Sequence, residues 1–316
     1  MLTPEARAIV ESIRSVAPPP EEIGPAAARK ASDDRRAAQV REIEPVAKVE
    51  DLLVGDVPVR IYRPATGTVL PGTVFAHGGG WVLCDLDSHD PLCRAIANRA
   101  QTVVVSVGYR RAPESRFPAA IDDVYAVLCW VAEHATDLGI DPARLAVAGD
   151  SAGGNLAAAA ALRARDTGGP ALAAQLLLYP VLDARMDTDS YHRFGHGFGL
   201  EATSMAWYWA QYVPDAADRS DPLAAPARAG HLDGLPPAIV AAAECDPLCD
   251  EATGYADRLA DAGVATWVRT YPSGFHGFLS LPPGLLPVAD EALAEVTARL
   301  GQALAPPSTG SKAPLM

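Results

Sequence analysis

Hydrophobic positions recur along this chain with two different periods, and each change of period marks an element. Short apolar runs, several rich in β-branched residues, occupy 73–76, 103–107, 145–148, 175–179 and 238–243. Runs of this kind suit strands buried on both faces. A sixth strand is expected at 266–270, and residues 57–62 alternate and end at Arg63-Pro64. Between these runs the spacing is helical. Residues 91–100 read as helix, and so does 121–134, with Ile121, Val124, Val127, Leu128 and Val131 on one face. An Ala-rich helix follows residue 151, another covers 255–263 with a glycine cap, and a closing helix covers 287–304. Strands that alternate with helices predict a mostly parallel central sheet flanked by helices on both faces.

Three stretches fall outside this rhythm. Residues 1–40 suggest two short helices around Pro18-Pro19-Pro20, with Pro25 fitting the first turn of the second. They are too charged to form a core, so they are expected to be a mobile arm or a lid. The interval between Tyr179 and Ala238 holds Tyr191, Trp207, Tyr208, Trp209 and Tyr212. An excursion that long predicts an inserted subdomain with helices of its own. Residues 305–316, rich in Pro, Ser, Gly and Lys, read as a disordered tail.

Composition narrows the possible partners. The 316 residues are 49% hydrophobic, enough for a sizeable core. A net charge of −13 argues against nucleic acid and against an anionic membrane surface. No apolar h-region follows Met1, and no stretch is long and apolar enough to span a bilayer, so a cytoplasmic protein is expected. The five cysteines, Cys84, Cys93, Cys129, Cys245 and Cys249, are odd in number and fit reduced thiols better than a disulfide framework. Cys245 and Cys249 form no CxxC pair, and Cys245 lacks a charged neighbour that would activate it.

In an open parallel sheet, ligands bind beyond the carboxyl ends of the strands. The residues following those ends are His77-Gly78-Gly79-Gly80, then Ser151, then Asp246, then His276. Ser151 sits in Gly149-x-Ser151-x-Gly153, between a strand and a helix, which is the pattern of a nucleophile elbow. A serine hydroxyl needs a neighbouring base. His276, with glycines on both sides, is placed to supply one, and Asp246 to orient it. Imidazole titrates near neutrality, so hydrolysis is expected to rise with pH as that ring loses its proton. Gly78, Gly79 and Gly80 offer bare backbone for an oxyanion, together with the Ala152 amide. The chain order Ser151, Asp246, His276 is that of an α/β-hydrolase.

On these residues the chain resembles the hormone-sensitive lipase family of α/β-hydrolases, the bacterial family IV carboxylesterases. The matching stretches are His77-Gly78-Gly79-Gly80-Trp81, Asp85-Leu86-Asp87-Ser88-His89-Asp90, Tyr109-Arg110-Arg111-Ala112-Pro113-Glu114, Gly149-Asp150-Ser151-Ala152-Gly153-Gly154-Asn155, Asp246-Pro247-Leu248-Cys249-Asp250-Glu251 and His276-Gly277-Phe278. The resemblance implies a serine carboxylesterase for short- to medium-chain acyl esters, working through an acyl-enzyme without metal or organic cofactor. By position it makes Ser151 the nucleophile, Asp246 the acid and His276 the base. It implies N-terminal cap helices in 1–45, a core in 46–183 and 226–304, inserted cap helices in 184–225, and a flexible tail in 305–316. It also suggests a homodimer through the last strand and helix. Two positions depart from similar sequences: Cys84 stands where glycine is usual, and Arg111 where leucine is usual. Cys84 is expected to narrow the loop behind the oxyanion hole or expose it to oxidation.

Other readings are weaker. Trp81, Asp150, Leu182, Met205, Trp207, Tyr208, Phe278 and Leu279 are candidates for the substrate pocket, with ordinary packing as the alternative for each. His77 is expected to fix its loop rather than to catalyse. His192 and His196 form an HxxxH pair near Asp187 and Asp189, but glycines at 195, 197 and 199 argue against a metal helix. An amidase, arylacetamide deacetylase or lactonase would use the same triad. A small-ligand receptor like the plant gibberellin receptors would lack the histidine that this chain keeps at 276.

Overall fold

The computed structural model describes residues 1–16, 18–38 and 43–306. Its sheet has eight strands: β1 (Lys48–Val54), β2 (Val57–Arg63), β3 (Leu70–Ala76), β4 (Val103–Val107), β5 (Ile140–Asp150), β6 (Ala174–Leu178), β7 (Ala238–Cys245) and β8 (Thr266–Phe275). The order is β1-β2-β4-β3-β5-β6-β7-β8. β1 and β2 form an antiparallel hairpin, and β2 runs antiparallel to β4. Every later pairing is parallel. The sheet is that of the α/β-hydrolase fold.

Helices cover both faces. Ile121 and Val124 of α4 (Ala119–Glu133), Leu156 of α5 (Ala152–Thr167) and Leu259 of α8 (Cys249–Asp261) bury into one core. Leu92 and Ile96 of α3 (Asp90–Ala100) and Val296 and Leu300 of α9 (Pro287–Ala303) bury into the other. Two crossings of the sheet set up the site. Ala76 pairs with Gly149, so the glycine loop after β3 emerges beside the serine turn after β5. Cys245 pairs with Phe275, so Asp246 and His276 leave adjacent strand ends together.

The expected elements are present with several shifted bounds, β5 starting at Ile140 and β3 at Leu70, and three differences have a clear physical reason. β1 was not expected; its Lys48, Glu50 and Asp51 lie on an exposed sheet edge, which needs no apolar run. α8 begins at Cys249, six residues before the expected start at Tyr255, because buried Glu251 brings its first turn into the core. β8 continues past Thr270 to Phe275 through a register shift opposite Ala243 and Cys245, where Pro272-Ser273-Gly274 reads locally as a turn.

The N-terminal helices are α1 (Pro4–Val16) and α2 (Pro20–Ala38). α2 is kinked at Gly24, whose φ of 79° lets Pro25 open a second helical piece. Between β6 and β7 lie α6 (Asp189–Phe194), α7 (Ala202–Tyr212) and two 3₁₀ turns. The arm and this insertion touch: the Ser204 hydroxyl donates to Glu21 at 2.8 Å, and Arg14 lies 3.4 Å from Glu201. Of the expected tail, residues 307–316 lie outside the described residues. Among the described residues no helix is long and apolar enough to cross a membrane.

Candidate active site

The serine turn cannot be built with side chains at its glycines. A Cβ on Gly153 would lie 1.9 Å from the Ala76 carbonyl oxygen, and one on Gly149 would lie 2.2 Å from that of Gly153. Between them Ser151 adopts φ 56° and ψ −121°, a conformation that only a well-held backbone sustains. The hold comes from β6: the Ser151 N–H donates to the Leu178 carbonyl at 2.8 Å. Ser151 also caps the amino end of α5, where unpaired N–H groups favour negative charge.

The Ser151 hydroxyl lies 2.8 Å from His276 Nε2, and His276 Nδ1 lies 2.7 Å from Asp246 Oδ2. With the carboxylate accepting from Nδ1–H, Nε2 is the free base facing the hydroxyl. Asp246 is wholly buried and its second oxygen accepts the Leu248 N–H at 2.9 Å, which fixes the carboxylate plane. The Tyr179 ring stands edge-on to the imidazole at 5.1 Å. The arrangement can move a proton from Ser151 to His276 and leave the imidazolium beside a buried anion.

The glycine loop divides its N–H groups. The Gly78 N–H donates to Asp150 Oδ1 at 2.9 Å, with His89 Nε2 3.3 Å away. It is therefore already engaged, which counts against the expectation that Gly78 shares the oxyanion role. Asp150 is corrected with it. Its carboxylate is buried and engaged by Gly78 and by His89 at 3.0 Å, so it braces the loop and does not line the substrate pocket. Burial alone would raise this carboxyl, but His89 and the Gly78 N–H outweigh it and hold it below the usual range. Gly79 and Gly80, at φ 104° and 59°, and Ala152 donate to no described group. His77 fixes the loop: its ring stacks on Tyr109 at 4.2 Å, and its Nδ1 lies 2.8 Å from the Gly78 carbonyl. Burial drops its imidazole to about 3, so it stays neutral.

Among the pocket candidates, Tyr208 lies against the glycine loop, where a Cβ on Gly80 would come 2.3 Å from its ring. Met205 and Leu279 are nearly buried, and Trp207 is partly exposed. Trp81, Leu182 and Phe278 are corrected: all are fully buried and offer no surface to a substrate. Trp81 stacks on Tyr212 at 4.3 Å, Phe278 packs near Tyr179 and Tyr271, and Leu182 sits in the core. Cys84 has φ 64°, which explains why glycine would suit it, and burial pushes its thiol up to about 11. His196 pairs with Glu201 at 2.7 Å, and no described group of three or more His, Cys, Asp or Glu is arranged to hold a metal ion.

Sequence reasoning passed over three buried polar groups around this site. His89 braces Asp150. Asn155 donates to the Ala224 carbonyl at 2.8 Å, tying the serine helix to the insertion. Glu251 accepts the Leu182 and Asp183 N–H groups at 2.7 and 2.9 Å. Their partners lie far away in sequence, and the only available signal was a polar residue amid apolar ones.

Known proteins resemble this chain in sequence and in fold. The family Abhydrolase_3, described as alpha/beta hydrolase fold, matches residues 73–280. The chain is 47% identical over 233 residues to carboxylic ester hydrolase LipN of Mycobacterium tuberculosis, a stretch that is 72% of this chain and 62% of that relative. It is 42% identical over 253 residues to an ethyl acetate hydrolase of Pseudomonas putida, covering 78% of this chain and 79% of the other. A thermostable esterase from Pseudomonas putida superposes with a TM-score of 0.91 at 37% identity, over 96% of this chain and 98% of that one.

Proposed function

The chain belongs to the Abhydrolase_3 family of the alpha/beta hydrolase fold and is a carboxylic ester hydrolase, and from that premise we propose that it works by acyl transfer through Ser151. Ser151 Oγ attacks the ester carbonyl while His276 Nε2 takes its proton. The oxyanion forms against the N–H groups of Gly79, Gly80 and Ala152. Collapse breaks the bond to the alkoxy oxygen, which leaves as the alcohol with the proton from His276. Water then attacks the acyl-enzyme by the same route and frees the acid and Ser151. Asp246 keeps Nδ1 protonated throughout.

The observation that carries this reading is the chain of two contacts, 2.8 Å from Ser151 to His276 and 2.7 Å from His276 to Asp246. Short- to medium-chain acyl esters are the proposed substrates, a choice supported by the similarity to an ethyl acetate hydrolase. Residues 1–45 and 184–225 are proposed as the cap, supported by the Glu21–Ser204 and Arg14–Glu201 contacts between them. The test is hydrolysis of 4-nitrophenyl esters from acetate to decanoate. Activity should peak at the short to middle chains and fall by roughly 10⁴-fold or more in Ser151→Ala. Equal hydrolysis by that variant would sink the reading.

A further inference from the structure

The backbone beyond Gly80 is gripped from two sides by arginines. Arg29, on α2, donates from Nε to the Val82 carbonyl at 2.7 Å and from Nη2 to the Ala112 carbonyl at 2.7 Å. Its Nη atoms also meet both carboxylate oxygens of Glu114, at 2.8 and 2.7 Å. Arg111 donates from Nη1 to the Cys84 carbonyl, and the Ala112 N–H donates to that of Trp81 at 2.9 Å. The carbonyls of residues 81, 82 and 84 are thus all held by residue 29 or by the loop at 111–112.

This grip bears on the oxyanion through one peptide plane. The Gly79 carbonyl accepts the Val82 and Leu83 N–H groups at 3.1 and 2.8 Å. In a planar trans peptide the N–H of the next residue points the opposite way. The turn that captures the Gly79 carbonyl therefore aims the Gly80 N–H. A turn free to rock would let that N–H wander, and a donor off its line loses most of its effect.

We propose that Arg29 is a positioning residue for the oxyanion hole, holding the 79–84 turn through the Val82 and Ala112 carbonyls, with Arg111 as the second grip. The proposal rests on the acyl-transfer reading above. It makes α2 part of the catalytic apparatus and not only a cover for the substrate. A planar fork is required, since a lysine ammonium cannot span two carbonyls and a bidentate carboxylate at once.

The test uses the full chain with Arg29→Ala, Arg29→Lys and Arg111→Leu, assayed on 4-nitrophenyl acetate, butyrate and hexanoate well below each variant's Tm. Arg29→Ala should lower kcat about tenfold or more, by the same factor on all three esters, with KM unchanged. Affinity for an alkyl trifluoromethyl ketone, whose adduct carries the oxyanion, should fall by that factor too. Arg29→Lys should fall between, and guanidinium ion in solution should restore part of the lost kcat in Arg29→Ala only. An effect confined to KM, or varying with acyl length while ketone affinity holds, would overturn the proposal and leave Arg29 as a wall of the acyl channel. If Arg29→Ala does not fold, Arg29→Lys and Arg111→Leu carry the same comparison. Undiminished hydrolysis by Ser151→Ala would instead remove the acyl-transfer reading, whatever the arginine variants do.

Discussion

At the scale of single residues, two kinds of glycine demand are separable here. Gly153 is forced by space, since its Cβ would overlap the Ala76 carbonyl at 1.9 Å, and that oxygen is backbone in a paired strand. Gly263 is forced only by conformation: its φ is 79° and nothing lies within 4 Å of its Cβ position. Gly153→Ala should therefore yield no native protein. Gly263→Ala should cost about 1 kcal/mol, lowering Tm by roughly 2–4 °C with kcat unchanged. Circular dichroism melts of the two variants check this, and a Gly153→Ala protein that melts like the wild type would refute the packing argument. The motif glycines were legible because their spacing is local. The diversion of the Gly78 N–H to Asp150 was not, because a run of three glycines does not say where each N–H points.

At the scale of elements, the loop carrying Asp246 is strapped to the insertion by the first turn of α8. The Ser190 N–H donates to Asp250 at 2.7 Å, its hydroxyl to the Pro247 carbonyl at 2.6 Å, and Glu251 takes the Leu182 and Asp183 N–H groups. Burial raises the Glu251 carboxyl from 4.5 to about 8, against those two N–H groups, which pull it down. A carboxyl raised in the folded state binds its proton more tightly than the unfolded chain does. Its stabilising contribution is complete below about pH 4.5 and is lost as pH climbs to about 8. Glu251→Gln keeps an acceptor for both N–H groups and never ionises. It should flatten the dependence of Tm on pH between 5 and 8, by an amount on the order of a few kcal/mol at the alkaline end. Thermal melts across that range decide, and parallel curves for wild type and variant would exclude the titration. Element by element, the buried strands were readable because both their faces are apolar. β1 escaped because its edge position tolerates Lys48, Glu50 and Asp51, and the start of α8 escaped because a buried glutamate looks like a loop charge.

At the scale of the whole molecule, the convergence of four strand ends on Ser151 follows from sheet order. Alternation of strands and helices is written along the chain, so that convergence could be read before the structure. The links that lock the arm and the insertion to the core join residues far apart in sequence, 53 positions from Arg29 to Val82 and 69 from Asn155 to Ala224, and leave no periodic trace. Among the described residues the sheet has two open edges, β1 and β8. β8 ends the sheet, no described strand pairs with its outer edge, and Val268 on it is 40% exposed. An open edge of this kind is a template for a second strand. Two copies that align β8 edge to edge would continue the sheet across a dyad, through the strand whose end carries His276. Light scattering on the purified chain should give twice 33.0 kDa, and Val268→Lys should return it to 33.0 kDa with kcat unchanged. A wild-type mass of 33.0 kDa at micromolar concentration would rule the dimer out. It would leave the charge on Arg269 and its pairing with Glu291 and Glu295 as the means by which this edge is kept from associating.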